Sequence, residues 1–242
     1  MSRLLRHGLS CPSCGSSDAV AEYETNFYCF SCHLSRIKLQ SVTTAKPAVV
    51  TQELDNPALP DDATLSLPEN ARAWLYQYHF TDKLMEENSI MWSPLWERVI
   101  IPSFVGGQII GFDARSLKPH QTKYLSFGTK KKVISMGEKF QTPIVIVEDM
   151  LSAMRVGQQF RTVCARGTHV TIESLSEVIS KLDTKANFQF IIWFDGDTPG
   201  IVASDKLLPR LNWFGRTVSL STPKDPKCYS DKEIHTKLKN FL

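Results

Sequence analysis

Phe188-Gln-Phe-Ile-Ile-Trp-Phe194 runs without a break into Asp195-Gly196-Asp197-Thr198-Pro199-Gly200. An almost wholly apolar run of this kind has the composition of a strand buried on both faces. It stops at two carboxylates, and Pro199 suits the first turn of a following helix. Strand, acidic turn and helix together describe one unit of an open α/β sheet, where sites form beyond the carboxyl ends of strands. Similar units flank it. Upstream, Ile144-Val-Ile-Val147 is a β-branched run ending at Glu148, with helical spacing over residues 152–160. Arg161–Cys164 predicts another strand, ending at Arg166-Gly167-Thr168, and Thr171 suits the N-cap of a helix to residue 182. Downstream, residues 217–220 predict a fourth strand, then a loop with Lys224, Asp225 and Pro226, then a last helix. Glu148, Asp195, Asp197 and Asp225 all fall at strand ends.

Four carboxylates converging on one edge repel one another unless cations join them. Hard oxygen ligands of this type suit Mg²⁺ or Mn²⁺, which bind through a few carboxylates, water and substrate phosphates. That chemistry serves phosphoryl transfer. The same acids also read as helix N-caps and loop residues, a common place for aspartate. The sequence leaves both readings open, Asp225 most of all.

The amino-terminal end carries a different chemistry. Cys11-Pro-Ser-Cys14 and Cys29-Phe-Ser-Cys32 are two C-x-x-C pairs separated by fourteen residues. Each pair offers two thiolates in one tight turn, and four thiolates complete a tetrahedral zinc site with no position left for water. The zinc expected here is therefore structural. Gly15 permits the turn after Cys14, and the gap suits a hairpin with strands at 19–23 and 27–30. His33 follows the last ligand and reads as a surface residue. Tyr23, Phe27, Tyr28 and Phe30 are candidates to stack on nucleic-acid bases, although a domain this small also needs aromatics to cover its metal.

Composition bounds the rest. The 242 residues are 42% hydrophobic and 22% charged, as in a globular chain, and no apolar stretch nears the roughly 20 residues of a membrane span. No secretory signal is visible, so the chain reads as cytoplasmic, where six cysteines argue for metal or thiol chemistry rather than disulfides. Cys164 reads as buried strand packing and Cys228 as a loop thiol. The net charge of +3 is mild, but it is unevenly spread. Residues 41–97 are acidic, whereas Arg115, Lys118, Lys123, Lys130, Lys131, Lys132 and Lys139 face only Glu138 between 115 and 139. Such a segment suits phosphates. Prolines 47, 57, 60 and 68 among small polar residues make 38–68 a linker. The expected organisation is thus a β zinc ribbon (1–37), the linker (38–68), a mixed α+β subdomain (69–142) and an α/β domain with a parallel sheet flanked by helices (143–242).

A Glu after the first strand and an Asp-x-Asp after the third resembles the Toprim domain. That domain is shared by DnaG-type primases, type IA and type II topoisomerases, OLD-family nucleases and RecR-type recombination proteins. DnaG-type primases also carry a zinc ribbon ahead of their core. Arg98-Val-Ile-Ile-Pro102, Gly107, Ile109-Ile-Gly-Phe112, Arg115 and Lys123-Tyr-Leu-Ser126 resemble the N-terminal subdomain of the primase polymerase core. The resemblance runs from Cys11 to the end, and size and ribbon are similar to those of bacteriophage primases. It implies a DNA primase that makes short RNA primers on single-stranded DNA by metal-dependent nucleotidyl transfer. Asp195, Asp197 and Asp225 would hold Mg²⁺ or Mn²⁺, and Glu148 would act as acid/base or near the metal. Arg98, Arg115, Lys123 and Lys139 would contact template or nucleotide phosphates. Ribonucleoside triphosphates are then the substrates.

One corner departs from the family. Its members commonly have Glu-Gly-x-x-Asp after the first strand, where this chain has Glu148-Asp149-Met-Leu-Ser152. Nothing matches a G-x-x-x-x-G-K-[ST] phosphate loop, so any helicase is expected to be a separate partner. Two rivals share the parts. A RecR-like mediator binds without catalysis, but only ten residues precede Cys11, too few for a helix-hairpin-helix. A Toprim nuclease uses the same carboxylates, yet does not account for the ribbon and the 98–126 segment.

Overall fold

The computed structural model describes residues 3–37, 58–128, 133–140, 142–168, 170–180 and 188–241. Residues 38–57 of the expected linker and Lys130, Lys131 and Lys132 lie outside them.

The chain opens as a four-stranded antiparallel sheet in sequential order: β1 (Leu4–Leu9), β2 (Val20–Tyr23), β3 (Asn26–Cys29) and β4 (Ser35–Ile37). The expected hairpin is β2–β3. The strands added at its edges carry no sequence signal: β1 is largely exposed, lacks alternation and slips register against β2. Cys11, Val20 and Cys29 form the ribbon's small buried apolar cluster, with Leu9, Ala19 and Phe27 packed against it. A core this small offers little to offset the entropy of ordering the chain, and the four cysteines beside it could hold a metal ion that would add to it.

Asp62 accepts hydrogen bonds from Ser93 Oγ at 2.8 Å and Leu95 N at 2.5 Å. Thr64 and Trp92 exchange two backbone hydrogen bonds of 2.8 Å. The last part of the expected linker is therefore fastened to the core, because its polar side chains and backbone find partners there. Two short helices follow, α1 (Glu69–Tyr76) and α2 (Asp82–Glu87), and then the antiparallel sheet β5 (Met91–Ser93), β6 (Arg98–Val105), β7 (Gln108–Ser116) and β8 (Tyr124–Gly128). Strands β6 and β7 turn on Gly106 and Gly107 alone, both at positive φ (59° and 78°), as a two-residue hairpin loop requires.

The third sheet has the order β13-β12-β10-β11-β9. Strands β10 (Ile144–Val147), β11 (Arg161–Cys164), β12 (Gln189–Ile192) and β13 (Arg216–Ser219) are parallel, and β9 (Ile134–Met136) closes one edge antiparallel. Helices α3 (Met150–Val156), α4 (Ile172–Ser180) and α5 (Thr198–Leu211) make the crossovers, and α6 (Asp231–Leu238) ends the fold. Thr171 accepts from Ser174 N at 3.2 Å, the capping role its sequence suggested. Burial explains the legibility of these strands: β10 is buried at all four positions. One continuous core joins the subdomains, running from Ala71 and Leu75 of α1 through Val99 and Ile101 of β6 to Val145, Val147, Met154 and Ile234. No described helix is long and apolar enough to cross a membrane.

The ribbon rests on the loop between α5 and β13. Arg36 donates from Nη1 to Trp213 O at 3.0 Å and lies 4.0 Å over the Phe214 ring, while Phe27 packs on Trp213 at 5.6 Å. Phe27 is thereby taken up in an internal contact rather than offered to a base. Phe30 is 59% exposed, with Tyr28 packed on its edge at 5.0 Å.

Candidate active site and zinc site

The ribbon sulfurs lie where one zinc would hold them. Cys11 Sγ and Cys32 Sγ are 3.9 Å apart and Cys14 Sγ and Cys29 Sγ 3.8 Å, with all four ligand atoms within 4.8 Å of one another. A tetrahedron with Zn–S bonds of ~2.3 Å has edges of ~3.8 Å. The Cys32 N–H, against some burial, lowers the Cys29 thiol to about 7, and the Ser16 N–H lowers Cys14. Burial pushes Cys11 up to about 12, which a metal must overcome on binding. His33 stays outside this set, sharing a 3.0 Å hydrogen bond with Tyr28 Oη.

The second site is a cleft of about 270 Å³ between the antiparallel sheet and the carboxyl ends of the parallel one. Glu148, Asp149, Asp195, Asp225 and Lys227 form one wall, and Asp113, Lys123, Tyr124 and Ser126 the other, with Arg166 and Tyr78 also lining it. Local structure delivers each group. Glu148 leaves the end of β10, and its carbonyl accepts from Gly167 N at 2.9 Å, which ties Arg166 (φ 58°) to the same corner. Asp195 leaves the end of β12. The next residue must be glycine, because a Cβ at Gly196 would lie 2.5 Å from Thr222 O. Trp193 Nε1 donates to Thr222 Oγ1 at 2.8 Å, and that hydroxyl donates to Lys224 O at 2.8 Å. A buried indole thus fixes the loop that carries Asp225 beside Asp195.

The acids divide by partner. Asp197 Oδ1 accepts from Gly200 N at 2.9 Å and caps α5, and the residue is exposed. Asp149 caps α3, accepting from Ser152 N at 3.1 Å and Ser152 Oγ at 2.7 Å. Asp113 accepts from Ser126 Oγ at 2.5 Å. Lys227 Nζ donates to Asp225 at 2.7 Å and to Asp149 at 3.0 Å. Glu148 Oε2 and Asp195 Oδ1 are instead buried without a hydrogen-bond partner. Burial, reinforced by Asp195, Asp149 and Asp197, pushes Glu148 up to about 7. Burial pushes Asp195 up to about 6, with Lys227 opposing and Asp149, Asp225 and Asp197 adding. Two orphaned oxygens on acids that resist ionisation are the donor set a hard divalent cation satisfies.

The expected phosphate-binding residues part company. Lys123 lines the cleft. Arg115 lies beside it, its guanidinium 5.3 Å from the Trp74 ring and 5.0 Å from the Tyr124 ring, with Nε and Nη1 buried and lacking a hydrogen-bond partner. Arg98 is 7% exposed and donates from Nη1 to Ala114 O at 3.1 Å and Thr122 O at 2.9 Å. Its charge braces β7 and the following loop, and it does not line the cleft. Lys139 is exposed, lies 5.1 Å over Phe140 and is also outside the lining. Arg166 and Lys227 were missed by sequence reasoning. Arg166 had a signal, since it follows a strand end as Glu148 does. Lys227, inside a loop, had none. Cys164 is fully buried, with Sγ 3.7 Å from Glu148 O, and Cys228 is partly exposed.

No protein-family profile matches the chain, and no curated protein matches it. Solved structures do. The chain is similar to a DnaG primase catalytic domain bound to single-stranded DNA (TM-score 0.57, 17% identity, 74% of each chain covered). It is similar to the E. coli primase catalytic core (TM-score 0.53, 17% identity, 71% of this chain and 73% of that one). Similarity to the primase fragment of the bacteriophage T7 primase-helicase protein covers 99% of both chains, at TM-score 0.55 and 16% identity. At such identities the likeness is one of fold, and the fold of this chain is that of the DnaG-type primase catalytic cores.

Proposed function

We propose that this protein is a DNA primase, a nucleotidyltransferase that makes short RNA primers on single-stranded DNA for replication. One observation carries the reading: the partnerless oxygens of Glu148 and Asp195 share a cleft with Lys123 and Arg166. A carboxylate pair opposite cations, in a fold shared with primase cores, has the parts for joining nucleotides along a polyanion.

The residues divide the work. Lys123, Arg166 and Arg115 bind template or nucleotide phosphates, and Arg98 and Lys139 support that wall from outside the lining. Asp195 and Glu148 provide the ligands for Mg²⁺ or Mn²⁺, with Asp197 and Asp225 beside them. A divalent ion held there supplies charge neutralisation at the phosphates and a more acidic attacking hydroxyl. Glu148, at the edge of the same cleft, is also the side chain placed to take the 3′-hydroxyl proton. The four cysteines hold a structural zinc. The working units are the ribbon (1–37), the linker (38–68), the basic subdomain (69–142) and the Toprim domain (143–242). A separate replicative helicase is the expected partner, in the cytoplasm of the cell that hosts replication.

The test incubates the protein with single-stranded DNA of mixed sequence, labelled ribonucleotides and Mg²⁺, and resolves the products. Short RNA oligomers, absent with Asp195→Asn, support the reading. Intact template without oligomers favours a binding mediator, and shortened template a nuclease.

A further inference from the structure

Lys227 is 8% exposed, yet no substrate group is needed to explain its burial. Its ammonium lies 2.7 Å from Asp225 Oδ2 and 3.0 Å from Asp149 Oδ2. Burial works against its charge, but Asp149, Asp195 and Asp225 outweigh that and hold it above the ordinary lysine range. A carboxylate pair bridged by one cation is the arrangement a divalent ion otherwise supplies. Here a side chain supplies it. Asp149 is further committed to Ser152 through both oxygens. With Asp197 and Asp113 also engaged, the acids with partnerless buried oxygens are Glu148 and Asp195.

We propose that Lys227 is the built-in second cation of this centre: it takes the place of a metal between Asp149 and Asp225, so that the site binds one divalent ion, on Glu148 and Asp195. The proposal rests on the metal-dependent reading above, but concerns only how many ions the acids accept. Lys227 is accordingly a positioning residue. It holds Asp149 and Asp225 in place and cancels part of the charge that would otherwise draw a second ion. Asp225 then acts through Lys227 and not as a metal ligand.

The test counts Mn²⁺ on the full-length, zinc-loaded protein by the electron paramagnetic resonance signal of the free ion, without nucleotide or DNA. One Mn²⁺ is expected, lost in Asp195→Asn. Asp225→Asn keeps it, weakened by about 10-fold as for a supporting residue. Lys227→Met gains a second Mn²⁺ and, with it, a larger rise in melting temperature on adding Mn²⁺ than the wild type shows. Two ions on the wild type, or loss of binding in Asp225→Asn, overturns the proposal whether or not Lys227→Met folds. An unchanged count in a folded Lys227→Met variant does so too. Failure to make primers would remove the primase reading and leave this count standing.

Discussion

Glu148 and Asp195 bind protons more tightly in the folded chain than ordinary carboxyls do, at about 7 and about 6. Folding therefore favours their protonated forms. Without divalent ions, stability falls as pH rises from the ordinary carboxylate range, ~4, towards about 7, because across that window the folded state holds the extra protons. A divalent ion on the same oxygens removes the loss. Melting curves across this window should show a downward slope that is absent from a Glu148→Gln/Asp195→Asn variant and shallower with Mg²⁺. A metal-free slope equal in the two proteins would contradict the assignment. At this scale the sequence was a partial guide. Strand ends marked the acids, but residue type does not disclose a partner. Arg98 and Asp197 have the right chemistry at matching positions, and hydrogen bonds to Ala114 O, Thr122 O and Gly200 N engage them.

Among the elements, β12 does most to build the cleft. Trp193 follows it directly and is fully buried, and its indole holds Thr222 and through it the loop before Asp225. Trp193→Ala should cost about 3–5 kcal/mol from the cavity and the lost packing. Urea unfolding would read this, and a change under about 1 kcal/mol would mean that the indole is not the loop's support. Strands such as β10 and β12 were legible because burial on both faces leaves apolar runs in the sequence. Strands β1 and β4 were not, since pairing to a neighbour's backbone fixes them and backbone pairing has no side-chain code. The hairpin at Gly106 and Gly107 is intermediate: the glycines are visible, but the exact length of β6 and β7 is a matter of register.

Over the whole molecule, the two sites lie at opposite ends of α5. Asp197 caps its start near the carboxylates, and the ribbon grips the loop after its end through Arg36, Phe27 and Trp213. Fourteen residues at ~1.5 Å each separate them by ~20 Å along that axis. Arg36→Ala removes the stacking on Phe214 and the bond to Trp213, so limited proteolysis should release the ribbon faster than from the wild type. Equal rates would show that the contact contributes nothing to its position. The sequence divided the chain into ribbon and core but carried no sign of this docking, because Arg36 and Trp213 are 177 positions apart. In the proposed division of labour Asp195 and its neighbours perform the chemistry while Lys123 and Arg166 of the same cleft hold the template. Dinucleotide synthesis and template binding, measured together on the Asp195→Ala/Asp197→Ala double variant, test it most directly. Loss of synthesis with near-normal binding of single-stranded DNA is the predicted result; retained synthesis, or binding lost along with it, would contradict the account.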